Sequence, residues 1–404
     1  MVHQMIPTNS NPAPRASSNK SVMVHSLVLW GMALIVGMLS ACGSAPMRYP
    51  SDSVPVAAPA PVPVKPAAPA PGAATGPSKG RWTTVAWSEL PGFEEDNLFE
   101  AWNAWIKSCE RPAPQFASYC GDVRRLSIAT PEQQREWMRQ SFQPQRLESS
   151  QGDPNGLLTG YFEPQLDASR VPTATFTVPL YMPPRTLGQR KPWYNRREID
   201  TLPEAQAALQ GRAIAYLADP VDALVLQIQG SGRLRVAQPD GTSRLVRVAY
   251  AGTNDQPYRS VGRWLLDQGL IKDASWPGIK AWLAQNPQRQ QELLWSNPRV
   301  VFFKEEAMSE LDAAFGPKGA QGVALTPGRS IAVDSSGSIP YGTPVWLAST
   351  GTQTKLQRLV LAQDTGSAIV GAVRADYFAG WGVEAQELAG RLRQPLQMWV
   401  IWPK

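Results

Sequence analysis

A proline-rich segment near the N-terminus restricts the folding of this chain more than any other feature. Residues 44–80 read SAPMRYPSDSVPVAAPAPVPVKPAAPAPGAATGPSKG and contain ten prolines among alanines and valines. Proline removes a backbone donor, and the apolar residues show no period that would bury one face of a helix or strand. We therefore expect residues 42–80 to form an extended tether that reaches on the order of 100 Å at about 3.1 Å per residue. The folded part is expected to begin near Arg81.

The segment before the tether has the pattern of a bacterial export signal. Lys20 precedes the apolar run LVLWGMALIVGML (Leu27–Leu39), which is too short to span a bilayer but suits the core of a signal peptide. The string LSAC, ending at Cys42, resembles the lipoprotein processing box, in which cleavage leaves a lipidated cysteine. Residues 1–41 are thus predicted to be removed, with an ordinary signal peptide and a chance cysteine as the alternative. Gly43 favours the outer membrane, with the protein facing the periplasm, because retained inner-membrane lipoproteins commonly carry Asp there.

Export leaves two unlipidated cysteines and no histidine in the mature chain. Cys109 and Cys120 would lie in an oxidising compartment, where a disulfide between them is expected. The only histidines, His3 and His25, belong to the predicted signal peptide. This excludes a Ser-His-Asp or Cys-His site and a His-ligated zinc, so acid-base chemistry must come from Asp, Glu, Lys, Tyr or an unusual group. We predict no metal and no cofactor.

The overall composition is that of a globular protein. With 43% hydrophobic and 18% charged residues, the chain can bury a substantial core. The formal net charge of +6 falls to about +4 without residues 1–41, which carry Arg15 and Lys20 and no acid. This charge is too small to indicate nucleic acid as a partner.

Hydrophobic periodicity divides the folded part into helical and strand-rich segments. Helical spacing covers Glu94–Arg111, and a capping box at Thr130 opens a second helix. From Leu157 the pattern is typical of β-structure, including Asp222–Gly252, where Asp240-Gly241 marks a hairpin.

Helices return further along the chain and are followed by more strands. We predict helices in YRSVGRWLLDQGLI, IKAWLAQNPQRQQELLW and EAQELAGRLR, and strands in RVVFFK, RSIAVD, GTPVWLAS, KLQRLVLAQD and LQMWVIW. Short strands with interspersed helices that do not strictly alternate favour a mainly β fold with helices (α+β), built as β-barrels with helical decoration.

Three aspartates near the C-terminus are candidates for chemistry. Asp334, Asp364 and Asp376 fall within 43 residues, each next to an apolar run. Carboxylates that share a cleft cannot all ionise cheaply, so at least one pKa is expected to be raised. The alternative for Asp364 is that Asp-Thr-Gly simply ends a strand, with Asp accepting turn amides.

The string DTGS at Asp364 also raises the alternative of an aspartic protease. Such an enzyme needs two carboxylates about 3 Å apart from two similar turns. The only other candidate, AVDSSGSI around Asp334, has an extra residue before its glycine, and the chain shows no two-lobed repetition. Both features argue against a protease.

Six sequence blocks from residue 160 onward form an ordered set: GYFEP, DPVDALVLQIQGSGRL, YAGTNDQPYRSVGRWL, NPRVVFF, RSIAVDSSGSIPYGTPVWL and QDTGSAIVGAVRADYFAGWG. Together they resemble the membrane-bound lytic murein transglycosylase A family, from about residue 155 to the C-terminus, whereas residues 81–150 match loosely. The resemblance implies a double-psi β-barrel formed by residues 81–165 and 305–404. It also implies a smaller β-domain, residues 166–304, inserted after GYFEP, with a sugar-binding groove between the two.

The activity that the resemblance implies is cleavage of the β-1,4 bond between N-acetylmuramic acid and N-acetylglucosamine in peptidoglycan, with formation of a 1,6-anhydro ring. The family's acid/base aligns with Asp376, in the RAD triplet. One carboxyl group can suffice because the substrate's own carbon-6 hydroxyl is the nucleophile, whereas ordinary glycosidases need a second carboxylate. Asp364 and Asp334 would then keep Asp376 protonated or bind the sugar.

Candidate glycan contacts come from two of these blocks. They are Gly160 and Tyr161 of GYFEP, and Gln229, Gly230, Ser231 and Gly232 of QGSG. The QGSG string has the alternative of a tight turn between strands, and Tyr161 that of a core residue. Glu163 lies where the family need not carry an acid, so no catalytic role is assigned to it. Arg374 has two alternatives: orienting a carboxylate or lining the surface.

The expected partners follow from the same features. They are peptidoglycan glycan strands, the outer membrane through a lipid at Cys42, and proteins of cell-wall synthesis or hydrolysis. A peptidoglycan-binding lipoprotein without activity is the alternative from another functional class.

Overall fold

The structure is a computed structural model that describes residues 80–334, 336, 339–352 and 354–404. The predicted signal peptide, Cys42 and the tether lie outside the described residues.

Within these residues the chain forms fourteen strands and ten α-helices. The strands are Arg81–Thr84 (β1), Phe142–Glu148 (β2), Gly156–Glu163 (β3), Gln165–Ser169 (β4), Val178–Tyr181 (β5), Ala213–Leu217 (β6), Ser231–Ala237 (β7), Ser243–Thr253 (β8), Val301–Ala307 (β9), Ser330–Val333 (β10), Pro344–Thr350 (β11), Lys355–Thr365 (β12), Arg374–Trp381 (β13) and Arg393–Pro403 (β14). The helices are Phe99–Ser108 (α1), Cys120–Arg125 (α2), Pro131–Ser141 (α3), Arg196–Thr201 (α4), Pro203–Leu209 (α5), Pro220–Gln229 (α6), Val261–Asp267 (α7), Trp276–Gln285 (α8), Gln290–Trp295 (α9) and Gly382–Arg391 (α10).

Six strands close into a barrel. The order is β14-β11-β12-β10-β13-β3, and β3 pairs back onto β14. Two neighbouring pairs, β10 with β12 and β13 with β3, are parallel. Closure is possible because the eleven-residue β14 pairs with β3 through its first half and with β2 through its second half. Branched and apolar side chains fill the interior, among them Leu158, Val333, Val345, Val360 and Val400.

The second sheet has the order β5-β6-β4-β7-β8-β9 and is curled, so that β5 approaches β9. Only β4 and β7 are parallel, and β7 joins β8 through the predicted hairpin, where Gly241 has a positive φ of 83°. Helices α6 to α9 pack with α10 in a separate apolar cluster. The predicted mainly β fold with barrels and helices is confirmed.

The N-terminal helices cover the outside of the barrel with tryptophan side chains. The rings of Trp102, Trp105 and Trp137 lie 5.3–5.8 Å apart, centroid to centroid. Helix α3 begins at the predicted capping box, in which the Thr130 hydroxyl accepts from the Gln133 amide at 3.4 Å. This apolar cluster continues into the outer faces of β11, β12 and β14.

The prediction of β-structure over Asp222–Gly252 was wrong for residues 222–229, because these belong to α6. Asp219 caps the helix by accepting from the Val221 amide at 2.7 Å, and Gly230 ends it with a φ of 80°. A short buried apolar run has no periodicity that separates a helix from a strand. The Asp-Pro start and the Gly end are the signals that distinguish them.

Among the described residues, no helix combines the length and the apolar character needed to cross a bilayer.

The bond between Cys109 and Cys120 ties the end of α1 to the start of α2. The two residues are 11 apart in sequence, so loop entropy accounts for about 3 kcal/mol of stability. We expect C109A/C120A to lose about this much free energy of unfolding in urea titrations. Wild-type protein unfolded in the presence of a reductant should match the variant. Equal stability of the oxidised wild type and the variant would contradict the prediction.

Candidate active site

A cleft of about 710 Å³ lies between the barrel and the second sheet. Its barrel side presents Tyr161 from β3, Asp364 from β12 and Asp376 from β13. The opposite side is formed by the α6–β7 turn and by strands β8 and β9, and the segment Pro317–Gly322 also contributes. The other polar and charged side chains that line it include Tyr250, Tyr258, Asn297, Arg299, Lys304, Glu306 and Lys318.

Strand pairing places the two cleft aspartates on one face of the barrel wall. Strand β10 lies between β12 and β13, and its Ala332 is paired with Asp364 on one side and with Asp376 on the other. Paired residues of neighbouring strands point to the same face. The pairing of β12 with β10 skips Gln363, and such a bulge redirects the side chains that follow it. The bulge thus brings Asp364 to the side of the sheet that carries Asp376.

Asp376 lies within β13, two residues after its start, and is half-buried. Thr159 is its partner across β3, and the Thr159 hydroxyl donates to the Asp376 carboxylate. Arg374 donates to the Thr159 oxygen at 2.8 Å, which leaves the hydroxyl hydrogen for Asp376. Burial raises the pKa of Asp376, against the opposing effects of Thr159 and Arg374. The carboxyl group therefore holds its proton to a higher pH than an ordinary aspartate.

Both carboxylate oxygens of Asp364 accept hydrogen bonds. Its Oδ2 accepts from the Tyr161 hydroxyl at 2.9 Å and its Oδ1 from the Ala320 amide at 3.0 Å. Burial raises the pKa of Asp364 to about 6, although Tyr161 and the amides of Thr365 and Ala320 lower it. Burial and the neighbouring Asp364 also raise the pKa of Tyr161 well above its ordinary value, so its hydroxyl remains a donor. The Tyr161 ring packs against the ring of Phe378, 5.2 Å between centroids.

Asp334 does not line the cleft among the described residues. It follows β10, and its two oxygens accept from the amides of Gly371 at 2.6 Å and Ser336 at 2.8 Å. Burial tends to raise its pKa, but these amides outweigh burial and hold the pKa below the ordinary value. The cluster of three aspartates therefore reduces to two. The aspartic protease alternative also loses its second carboxylate. Both oxygens of Asp334 accept backbone amides, and Asp334 is outside the lining of the described cleft.

The six predicted glycan contacts divide into two groups. Tyr161, Gln229, Gly230 and Ser231 line the cleft, and the QGSG string is a helix-to-strand turn and not a turn between strands. The Gln229 side chain accepts from the Phe162 amide at 3.0 Å, which fixes this turn against β3.

Gly160 and Gly232 serve close packing. A Cβ at Gly160 would lie 2.8 Å from the Ala389 backbone of α10, and one at Gly232 would lie 2.2 Å from Leu226. Both glycines are outside the lining of the cleft within the described part of the chain.

Two contributors to the site were missed by sequence reasoning. Thr159 directly precedes GYFEP, but its contact with Asp376 depends on the β3–β13 register. Ala320 acts through its backbone amide, which leaves no side-chain signal in the sequence. The strand β13 itself was also not predicted, so Asp376 was expected at the end of an apolar run.

The fold and the cleft define a β-barrel protein with two carboxyl groups of raised pKa facing a second β-sheet. Comparison with known proteins identifies the family. Residues 157–304 match the family model described as the MltA specific insert domain, and residues 329–402 match the 3D domain.

Individual relatives agree. The membrane-bound lytic murein transglycosylase A of Vibrio cholerae is 33% identical over 292 residues, which cover 67% of this chain and 74% of the relative. The lytic transglycosylase LtgG of Burkholderia pseudomallei is 42% identical, with a TM-score of 0.56 over 82% of this chain and 99% of that one. The structure of Escherichia coli MltA with bound chitohexaose is 26% identical, with a TM-score of 0.62 over 76% of this chain and 90% of that one. The chain therefore belongs to the membrane-bound lytic murein transglycosylase A family, and the resemblance of the six blocks is confirmed.

The raised pKa of Asp364 predicts a pH-dependent stability effect. A folded pKa of about 6, against 3.8 for an ordinary aspartate, means that its contribution to stability is present below about pH 4 and is lost as the pH rises through about 6. In Asp364→Asn no buried carboxyl group has to ionise as the pH rises. The free energy of unfolding of the variant, minus that of wild type, should therefore be about 1–3 kcal/mol larger at pH 7.5 than at pH 4.5. Urea unfolding at the two pH values measures the difference.

Asp334→Asn is the matched control, because the lowered pKa of Asp334 places its pH dependence in a different window. Its contribution to stability is present above the unfolded pKa of 3.8 and is lost only below it, so the stability of the control variant relative to wild type should be nearly the same at pH 7.5 and pH 4.5. The interpretation fails if the two variants show the same pH trend.

Proposed function

We propose that this protein is a lytic transglycosylase that cleaves the β-1,4 bond between N-acetylmuramic acid and N-acetylglucosamine in peptidoglycan and leaves 1,6-anhydro ends, in cell-wall turnover and remodelling. The observation that carries the proposal is Asp376: a carboxyl group of raised pKa, bonded to Thr159, in the cleft of a family member. With no histidine after residue 25, acid-base chemistry in the cleft depends on carboxyl groups, tyrosine and lysine.

In the first step Asp376 is the acid. Its proton passes to the glycosidic oxygen as the bond from that oxygen to the anomeric carbon of the muramic sugar breaks. Positive charge develops on that carbon, as in other glycoside cleavage. The raised pKa favours this step because a larger fraction of Asp376 carries the proton near neutral pH.

In the second step the Asp376 carboxylate is the base. It accepts the proton of the carbon-6 hydroxyl while that oxygen bonds to the anomeric carbon and closes the 1,6-anhydro ring. Asp376 is protonated again and no water is consumed. One carboxyl group thus serves both steps, since the nucleophile belongs to the substrate.

Asp364 supports Asp376 electrostatically. With a pKa of about 6 it is mostly ionised at neutral pH, and its donors Tyr161 and Ala320 hold the charge in the cleft. A negative charge there favours the protonated form of Asp376 and stabilises the positive charge on the anomeric carbon. Asp334 is outside the lining of the described cleft and binds the Gly371 amide, so its proposed role is to support the end of the barrel that carries Gly371.

The cleft is the proposed glycan site. The Escherichia coli relative binds chitohexaose, a β-1,4-linked amino sugar oligomer. In this chain Tyr161 and the turn of Gln229, Gly230 and Ser231 line the cleft and are proposed to contact the sugars. Residues 81–165 with 305–404, and residues 166–304, are the proposed domains that form its two sides.

Asp376→Asn should abolish the activity while leaving the fold intact. General acid-base catalysis contributes about 10²- to 10⁴-fold, so we expect at least a roughly 100-fold loss in soluble product from purified murein. Mass spectrometry of wild-type products should show muropeptides one water lighter than hydrated ends. The exposed hairpin variant Asp240→Asn is the control and should match wild type. Hydrated reducing ends alone would exclude a transglycosylase.

If wild type and Asp376→Asn bind murein equally and neither releases product, the protein is a binding lipoprotein instead of an enzyme. Co-sedimentation with purified murein measures this binding in the same samples.

We further propose that Cys42 carries a lipid that anchors the protein in the outer membrane, facing the periplasm. The support is the LSAC string, Gly43 and the proline-rich sequence of the tether predicted for residues 42–80, which would separate the lipid from the fold. Relatives named membrane-bound agree with membrane association.

Cys42→Ser should keep the protein out of the outer membrane, because processing and lipidation both need the thiol. Density-gradient fractionation should find wild type with the outer membrane and Cys42→Ser outside that fraction. The matched variant Gly43→Asp should move to the inner-membrane fraction. Retention of Cys42→Ser in the outer membrane would contradict lipid anchoring.

A further inference from the structure

A buried ionic cluster lies beside the cleft, where β3 ends. The Glu163 side chain is fully buried, and Arg233 and Arg247 are 3% and 7% exposed. The Nε atoms of Arg233 and Arg247 lie 2.7 and 2.6 Å from the two oxygens of Glu163. The Arg233 guanidinium also stacks on the ring of Trp381, 3.9 Å from its centroid.

The three charged residues come from both sides of the cleft. Glu163 is the last residue of β3 and is paired with Trp381 of the barrel. Arg233 in β7 and Arg247 in β8 are directly paired in the second sheet. Like charges directly opposite each other destabilise a sheet, and buried ones do so more strongly. The arginine pair can therefore be buried only with the barrel carboxylate beside it.

The remaining N–H groups of the two arginines donate to backbone carbonyls of a third segment, which precedes the cleft. Arg233 donates to the carbonyls of Ala313 at 2.7 Å and Phe315 at 2.9 Å, and Arg247 donates to Phe315 at 2.7 Å. Directly after these residues the chain enters the cleft as Pro317–Gly322. The amide of Ala320 in this segment donates to Asp364. A short stretch of backbone thus connects the ionic cluster to a carboxylate of the site.

We propose that Glu163 is a positioning residue for the active site: through Arg233 and Arg247 it fixes the segment from Ala313 to Gly322 and thereby the Ala320 bond to Asp364. The effect on catalysis rests on the proposed function. The placement of residues 313–322 by the ionic cluster does not depend on that function. It also gives this buried cluster a role beyond joining the two sheets.

The first test is hydrogen exchange of the mature protein, which needs no turnover. In Glu163→Gln the arginines lose their counter-charge, so we expect the peptide covering residues 313–322 to exchange at least about tenfold faster than in wild type. The peptide that covers α3, on the outside of the barrel, should be unchanged. Unchanged exchange of residues 313–322 in a folded variant would overturn the proposal.

The second test is the pH profile of product release at low murein concentration. The groups that face Asp364 are the Tyr161 hydroxyl, Asp376 and the amides of Thr365 and Ala320. Loss of the Ala320 bond raises the pKa of Asp364. The acid limb of the profile should therefore move to higher pH in Glu163→Gln. An unmoved acid limb, with only a lower melting temperature, would mean that the cluster is structural.

Two further variants keep the test decisive. Arg233→Gln leaves Glu163 paired with Arg247, one carboxylate with one guanidinium group, but it removes the bond to Ala313 and one of the two bonds to Phe315. Arg233→Gln should show the same faster exchange of residues 313–322 and the same shift of the acid limb, and it replaces Glu163→Gln as the test if that variant does not fold. Wild-type behaviour of a folded Arg233→Gln would overturn the proposal.

Asp96→Asn is the control for loss of a buried ion pair. Asp96 is bonded to Arg329 at 2.7 and 2.8 Å, with both side chains buried, and it lies outside the lining of the described cleft. It should lower the melting temperature without changing the exchange of residues 313–322 or the pH profile. Changes equal to those of Glu163→Gln would contradict the proposal. Failure of the wild type to form anhydro products would count against the function alone.

Discussion

The pairing of β10 with both β12 and β13 is the constraint on which the cleft depends. It sets Asp364 and Asp376 on either side of the small residue Ala332, and the closed barrel keeps all three strands in fixed register. A slip of one residue would turn a carboxyl group toward the apolar interior. The bulge at Gln363 belongs to the same constraint, since without it Asp364 would not align with Ala332. Catalytic geometry and barrel stability thus share one set of backbone hydrogen bonds.

The three aspartates show how local environment separates residues of one type. Burial raises the pKa of Asp376 and Asp364, whereas two turn amides hold that of Asp334 below its ordinary value. The first two face the cleft and the third caps a turn. Our proposal uses this difference directly: Asp376 exchanges a proton with the substrate, and Asp364 supplies charge. A fold that buries carboxyl groups beside a cleft gives up some stability for reactivity.

Much of the fold could be predicted from local patterns. The capping box at Thr130 and the Asp240-Gly241 hairpin lie where the sequence places them, because both depend on a few neighbouring residues. The helix α6 was interpreted as strand, since its apolar run is buried on most sides. At the site, Asp364 and Asp376 could be identified as candidates because they lie close together in the sequence, each next to an apolar run, and within a block that resembles the family. Thr159, the Ala320 amide and the separation of Asp334 depend on register between distant strands, which no local pattern encodes.

As the proposed catalytic acid, Asp376 must hold its proton in the cleft above the pH at which ordinary aspartates release it. Carbon-13 NMR titration of labelled aspartate carboxyl groups, with Asp376 assigned by its absence in Asp376→Asn, measures this directly. We predict a midpoint for Asp376 clearly above the ordinary value of about 3.9, and a midpoint for Asp334 below it. A midpoint for Asp376 at or below about 3.9 would contradict its role as the acid.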